Sequence, residues 1–218
     1  MRAIIFAGGK LAHPNHDLSC LQADDWIIAA NGGARHCLAL GLSPKVVIGD
    51  FDSLTPAELR SLESGGTEII RRPRHKDETD LELAVRLAAD RGADEVLILG
   101  GLGERWDQSL ANLLLPAAPG LERLRLRFVD GPQEIASLRG GQSLDLHGQP
   151  GDTVSLIPLG GDAVGVSTHG LEYPLEGGTL PHGATLGVSN TLTAKTASVS
   201  LSKGLLLCIH IHSADIAP

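Results

Sequence analysis

The sequence has 218 residues, 42% of them hydrophobic and 20% charged, a globular balance with room for one large domain or two modest ones. Aromatic residues make up 3% and the formal net charge is −8, which argues against a base-stacking or phosphate-tracking nucleic-acid surface. No uncharged apolar run reaches membrane-spanning length, and the apolar run of the opening MRAIIFAGGK is too short for a signal peptide, so a cytoplasmic protein that binds neither nucleic acid nor membrane is expected.

Residues 1 to about 130 alternate short apolar runs with helical patterns. The runs Ala3–Phe6, Trp26–Ala30, Val46–Ile48, Glu68–Ile70, Glu95–Leu99 and Leu124–Val129 suit strands buried on both faces of a parallel sheet. Thr55-Pro56-Ala57-Glu58 carries a cap, a first-turn proline and a glutamate three residues after the cap, which together start a helix. Thr79-Asp80-Leu81-Glu82 repeats the capping-box pattern. Behind it Leu81, Ala84, Val85 and Ala88 form one apolar stripe, and Gly92 closes the helix. The alternation predicts an α/β N-terminal domain with a mainly parallel open sheet, Rossmann-like and three-layered, over residues 1–130. From Gly131 onward helical stripes disappear. Glycine and proline punctuate short Thr-, Val- and Leu-rich segments, Thr153–Pro158, Thr193–Leu201 and Leu205–His212. Residues 131–218 are therefore expected to form a C-terminal all-β sandwich.

Ligands of open α/β sheets bind beyond the carboxyl ends of the strands, so the segments after each strand carry the chemistry. Gly49-Asp50-Phe51-Asp52-Ser53 follows Val46–Ile48. Asp50 and Asp52 are two apart, so an extended backbone points both carboxylates to one side. Such a pair repels unless a cation lies between; hard oxygen donors of this kind suit Mg²⁺, although Asp52 and Ser53 also suit a simple turn. Lys76-Asp77-Glu78-Thr79-Asp80 offers a phosphate contact at Lys76 and a metal or hydroxyl contact at Asp77, while Asp80 at a helix start also satisfies the helix dipole. Asn31-Gly32-Gly33 and Gly100-Gly101-Leu102-Gly103 are glycine turns that admit a ligand to the backbone, and Arg105 can clamp phosphate. Neither a Walker loop nor a GxGxxG fingerprint is present. Carboxylates, cations and glycines at four successive strand tips form the inventory that phosphoryl or pyrophosphoryl transfer needs. Cys20, Cys37 and Cys208 form no CxxC pair and read as buried, reduced thiols. His210 and His212 alternate along a terminal strand and read as a solvated face, since no further metal ligand is evident nearby.

Asn31-Gly-Gly-Ala, Gly49-Asp-Phe-Asp-Ser, Lys76-Asp-Glu-Thr-Asp80, Gly100-Gly-Leu-Gly-Glu-Arg-Trp-Asp107, Gly170-Leu-Glu-Tyr-Pro-Leu175 and Gly187-Val-Ser-Asn190 resemble, in order and spacing, the thiamine pyrophosphokinase (thiamine diphosphokinase) family over nearly the whole chain. The resemblance implies transfer of pyrophosphate from ATP to thiamine with release of AMP, Mg²⁺ as cofactor, and a homodimer with its active site at the interface. It implies that Asp50, Asp52 and Asp80 hold Mg²⁺ and the triphosphate, with Arg105 as a further catalytic residue. Nucleotide contacts fall to Asn31, Gly32, Gly33, Lys76, Asp77, Gly100, Gly101 and Arg105, and substrate contacts to Asp80, Asp107, Ser189 and Asn190. Asp80 is a candidate general base. The family usually has Asp at Asn31, Asn at Arg35, Gly at Glu104 and His at Gln108. Alternatives are a pyrophosphokinase acting on another alcohol, such as a hydroxymethylpterin, and a non-catalytic nucleotide- or thiamine-binding sensor.

Overall fold

The computed structural model describes residues 1–11, 13–103 and 105–213, the side chain of Asn15 excepted. The chain divides into two compact units, Met1–Asp130 and Gly131–Pro218.

In the first unit the elements run β1 (Arg2–Phe6), α1 (Pro14–Ser19), β2 (Trp26–Ala30), a 3₁₀ turn (Asn31–Gly33), α2 (Ala34–Ala39), β3 (Val46–Gly49), α3 (Pro56–Ser64), β4 (Glu68–Arg71), α4 (Asp80–Asp90), β5 (Glu95–Leu99), α5 (Trp106–Leu114), a second 3₁₀ turn (Leu115–Ala117) and β6 (Arg125–Asp130). The strands lie in the order β6-β5-β1-β2-β3-β4, with every one of these pairings parallel. Ile4, Ile5, Phe6, Ile98 and Leu99 are fully buried, as strands covered on both faces must be. Alternation sends Ile4 and Phe6 to one face, where they share a core with Cys37 of α2 and Leu62 of α3. Helix α4 packs across β1, β2 and β3 and buries Leu81, Ala84, Val85 and Ala88.

The two helix starts differ in detail. Thr55 Oγ1 accepts from Glu58 N and the Glu58 side chain returns to the Thr55 backbone, a complete capping box. Thr79 Oγ1 accepts from Glu82 N at 3.1 Å, but the box is not closed: Glu82 turns to Arg86, one helical turn on, at 2.9 Å. The i,i+4 ion pair replaces the backward bond to the cap.

In the second unit β7 (Gln133–Arg139), β8 (Gln142–His147), β9 (Thr153–Pro158), β10 (Ala163–His169), β11 (Gly178–Leu180), β12 (Asn190–Thr191), β13 (Thr196–Leu201) and β14 (Leu205–Ile211) follow one another. They pair antiparallel in the orders β12-β9-β14-β7 and β11-β10-β13-β8. Leu138, Val154, Leu156, Leu206 and Cys208 of the first set share one apolar core with Leu146, Val166, Val199 and Leu201 of the second. Cys37 and Cys208 are free, buried thiols, each pushed up to about 12 by burial; Cys20, expected to be buried as well, is partly exposed.

His210 is not on a solvated face. It is 4% exposed and reaches Asp152, 58 positions away in sequence, at 3.2 Å. Burial, with His212 beside it, holds its pKa below the ordinary histidine value. A partner so distant in sequence lies beyond any local pattern. Among the described residues no helix is long and apolar enough to cross a membrane.

Candidate active site

The order β6-β5-β1-β2-β3-β4 places a reversal between β1 and β5: the chain steps outward from β1 to β4, then returns to β1's other side. A crevice opens at such a reversal because the flanking connections leave in opposite directions. Ala7 N donates to Leu99 O at 2.8 Å and Gly9 N to Gly100 O at 2.9 Å, so the two strand tips stay tied beyond the ladder. Here lies a cleft of about 520 Å³, its wall including Gly8, Gly9, Lys10, Asn31, Gly32, Asp80, Gly100, Gly101 and Arg105. Two close approaches need glycine. A Cβ on Gly33 would meet Phe6 O at 1.9 Å, and Gly100 combines a φ of +66° with only 2.9 Å between such a Cβ and Ala7 O.

Asn31 joins the acidic motifs. Its Nδ2 lies 2.9 Å from Asp50 Oδ1, 3.2 Å from Asp52 Oδ1 and 2.9 Å from Asp80 Oδ2. Three carboxylates from the tip of β3 and the start of α4 therefore converge on one amide nitrogen. The Asp50–Asp52 segment is not extended as the i, i+2 spacing implied: Phe51 has φ +63°, and Asp52 N donates to Asp50 Oδ1 at 3.1 Å. The turn is held because the Phe51 ring is 5% exposed in the core and Arg71 stacks 4.8 Å from its centroid. The carboxylates meet through this turn and the Asn31 amide. Among the described non-glycine residues positive φ occurs at Asn31, Phe51 and Ser189, each in a segment singled out by sequence, and strain of this kind collects at functional sites.

Asn31 Oδ1 is buried without a hydrogen bond. Asp80 Oδ1 is likewise without one; its compensation is Lys76 Nζ, an ion pair at 2.9 Å that lacks hydrogen-bond alignment. The Asn31 amide, then Ser53, holds the Asp52 carboxyl below the usual aspartate value. The donor set is all oxygen, clustered and partly uncompensated, and so fits a hard divalent cation.

The remaining sequence-derived residues distribute as follows. Arg105 lines the cleft and grips Asp107 through two bonds, of 2.9 and 2.5 Å; its guanidinium pushes Asp107 down to about 2. Asp107 and the exposed Asp77 are not on the cleft wall. Arg35 lines the cleft and pairs with Glu58 at 3.1 Å, and Gln108 lines it too; Glu104 lies outside the described residues. In the second unit Ser189 N donates to Ser155 Oγ. Asn190 Oδ1 accepts from Tyr173 N at 3.1 Å and its Nδ2 donates to Tyr173 O at 2.8 Å, which fastens the Gly170–Leu175 segment. Sequence reasoning missed Gly8, Gly9 and Lys10, although a glycine pair after the buried run Ala3–Phe6 is the same signal that marked Gly100-Gly101. It also missed Asn112, whose Nδ2 donates to Gly101 O at 2.6 Å.

Two family models match this chain: the thiamin pyrophosphokinase catalytic domain over residues 18–125 and the thiamin pyrophosphokinase vitamin B1 binding domain over residues 142–206. The thiamine pyrophosphokinase of Bacillus subtilis (strain 168) is 30% identical over 84% of this chain and 85% of its own length. The chain belongs to the thiamine pyrophosphokinase family. A more distant member of that family, thiamine pyrophosphokinase 1 of Oryza sativa subsp. japonica, is 25% identical over 78% of this chain and 67% of its own. Among solved structures, the thiamine pyrophosphokinase of Bacillus subtilis superposes with a TM-score of 0.84 at 28% identity, covering 98% of this chain and all of that one. The thiamin pyrophosphokinase of Candida albicans, at 18% identity, shares the fold with a TM-score of 0.75, over 96% of this chain and 88% of its own.

Proposed function

We propose that this chain transfers the pyrophosphoryl group of ATP to thiamine, giving thiamine diphosphate and AMP, as a cytoplasmic homodimer. The observation that carries the reading is the convergence of Asp50, Asp52 and Asp80 on Asn31 Nδ2 beside a glycine-lined cleft. In this reading residues 1–130 are the Rossmann-like nucleotide-binding catalytic domain, and residues 131–218 are a β-sandwich for thiamine binding and dimerisation.

The hydroxyethyl oxygen of thiamine forms a bond to the β-phosphorus while the bond between that phosphorus and the α–β bridging oxygen breaks; AMP leaves and the hydroxyl proton is released. Asp50, Asp52 and Asp80 would hold Mg²⁺, which when bound supplies neutralisation of the triphosphate charge. Gly32, Gly33, Gly100 and Gly101 let phosphate oxygens reach backbone N–H groups. Lys76 and Arg105 add positive charge where the transition state spreads negative charge. Asp107, Ser189 and Asn190 would contribute substrate contacts.

Nothing in the family matches favours a pterin acceptor or a non-catalytic sensor. Purified protein incubated with ATP, Mg²⁺ and thiamine is expected to yield AMP and thiamine diphosphate in equal amounts. AMP release with hydroxymethylpterin but not thiamine, or formation of ADP and thiamine monophosphate, overturns the proposal.

A further inference from the structure

A second cluster of ligand-bearing side chains lies in the second unit, which the proposed transfer step does not use. His210 and His212 are two apart on and just beyond β14, and their rings stand 4.1 Å apart between centroids. Asp152, in the turn before β9, is 1% exposed. Its Oδ2 lies 3.2 Å from His210 Nε2 and 3.4 Å from His212 Nδ1, and one ligand atom from each of the three residues falls within 4.8 Å of the others. The His210 contact is a hydrogen bond at the long end of the range, against about 2.7–2.9 Å for a charge-assisted N–H···O bond. Ligand atoms held at about 2.1 Å from a tetrahedral ion stand roughly 3.4 Å apart, close to the 3.2 and 3.4 Å between Asp152 Oδ2 and the two imidazole nitrogens.

We infer that Asp152, His210 and His212 form a binding site for a first-row divalent transition-metal ion such as Zn²⁺. Two imidazole nitrogens and one carboxylate oxygen make a mixed donor set that favours such ions over Mg²⁺. The surroundings are those of an oriented ligand set. The other ring nitrogen of His212, Nε2, lies 3.4 Å from Glu134 Oε1, the outer carboxylate that commonly fixes a ligating histidine. Asp152 Oδ1 is pinned by Ser213 N at 2.9 Å and Ser213 Oγ at 2.8 Å, and Gln149 N donates to Oδ2 at 2.9 Å. Residue 148 is glycine: a Cβ there would sit 2.3 Å from Asp152 Oδ2 and 2.9 Å from His210 Nε2. Its absence leaves room beside both ligand atoms.

The test uses the full chain with Asp50→Asn and Asp52→Asn in place, so that the cleft carboxylates do not dominate divalent-ion binding. Protein stripped with EDTA is titrated with Zn²⁺ by calorimetry and with Co²⁺ by visible absorption. One equivalent of Zn²⁺ is expected, with an intense four- or five-coordinate Co²⁺ spectrum. His212→Ala, or His212→Gln should the alanine variant not fold, is expected to weaken Zn²⁺ binding at least tenfold. The inference is overturned by the absence of Zn²⁺ uptake, by a weak six-coordinate Co²⁺ spectrum, or by a folded His212 variant that binds as tightly as its parent.

Discussion

The two units each gather carboxylates, and they neutralise them differently. In the first, Asp50, Asp52 and Asp80 share a single neutral amide and Asp80 leans on Lys76; the group stands beside an open cleft and two of its oxygen atoms are left without hydrogen bonds. In the second, one buried carboxylate takes backbone and hydroxyl donors together with two imidazoles. The contrast separates an all-oxygen cluster with two oxygen atoms left without hydrogen bonds from a mixed nitrogen and oxygen cluster whose carboxylate is held in place by backbone and hydroxyl donors. Incomplete compensation costs stability but leaves capacity to bind a hard ion, whereas imidazole nitrogens beside an oriented carboxylate suit transition-metal ions.

The sharpest way to break this comparison is to remove charge from the first cluster. Asp50→Asn and Asp52→Asn are each expected to lower the rate of thiamine diphosphate formation by about 10²–10³, the scale of losing a preorganised charge-stabilising group, while circular dichroism and the unfolding midpoint stay near the parent's. Retained activity in both variants would remove the cation assignment. An intermediate effect is expected from Asp152→Ala, which leaves the Gln149 and Ser213 donors without their acceptor and should cost about 1–3 kcal/mol in chemical denaturation with chelator present. The pH dependence gives this prediction a sign. Burial by itself would raise the Asp152 pKa, but hydrogen bonds from Gln149, Ser213 and His210 outweigh it, and the folded value lies below the ordinary 3.8. The group therefore stabilises the fold above pH 3.8 and progressively ceases to do so as pH falls below it. Acid unfolding of the parent and of Asp152→Ala should converge there, and a constant gap down to strongly acid pH contradicts the assignment. The smallest effect is expected at Thr79→Ala, which removes a helix cap worth about 1 kcal/mol. Because α4 carries Asp80 in its first turn, kcat/KM should fall severalfold while Thr55→Ala, at the start of α3, changes stability alone. Equal kinetics in the two variants would deny α4's start a positioning role.

Much of the scaffold was legible because its signals are local. Runs such as Trp26–Ala30 and Glu95–Leu99 have the period and length of buried strands, and Thr55-Pro56-Ala57-Glu58 encodes a helix start within four residues; both appear with the expected bounds. The acidic motifs were visible as residue types, but the reason they meet was not. An extended backbone was expected at Asp50–Asp52, whereas a left-handed Phe51 anchored in the core turns that segment. Gly8, Gly9 and Lys10 carry the same local signal as Gly100-Gly101, a glycine turn after a buried strand, but that the two turns adjoin follows only from the β1–β5 pairing.

By itself the sequence determined which stretches become strands, where two helices begin, and which residue types stand at strand tips, because hydrophobic period, capping and turn chemistry act over a few residues. Only the tertiary structure decided that β5 returns to the side of β1, that Asn31 binds three aspartates together, and that Asp152 meets two histidines from the end of the chain. Those contacts depend on strand order and register, which are set by burial summed over the whole fold and not by any short run of residues.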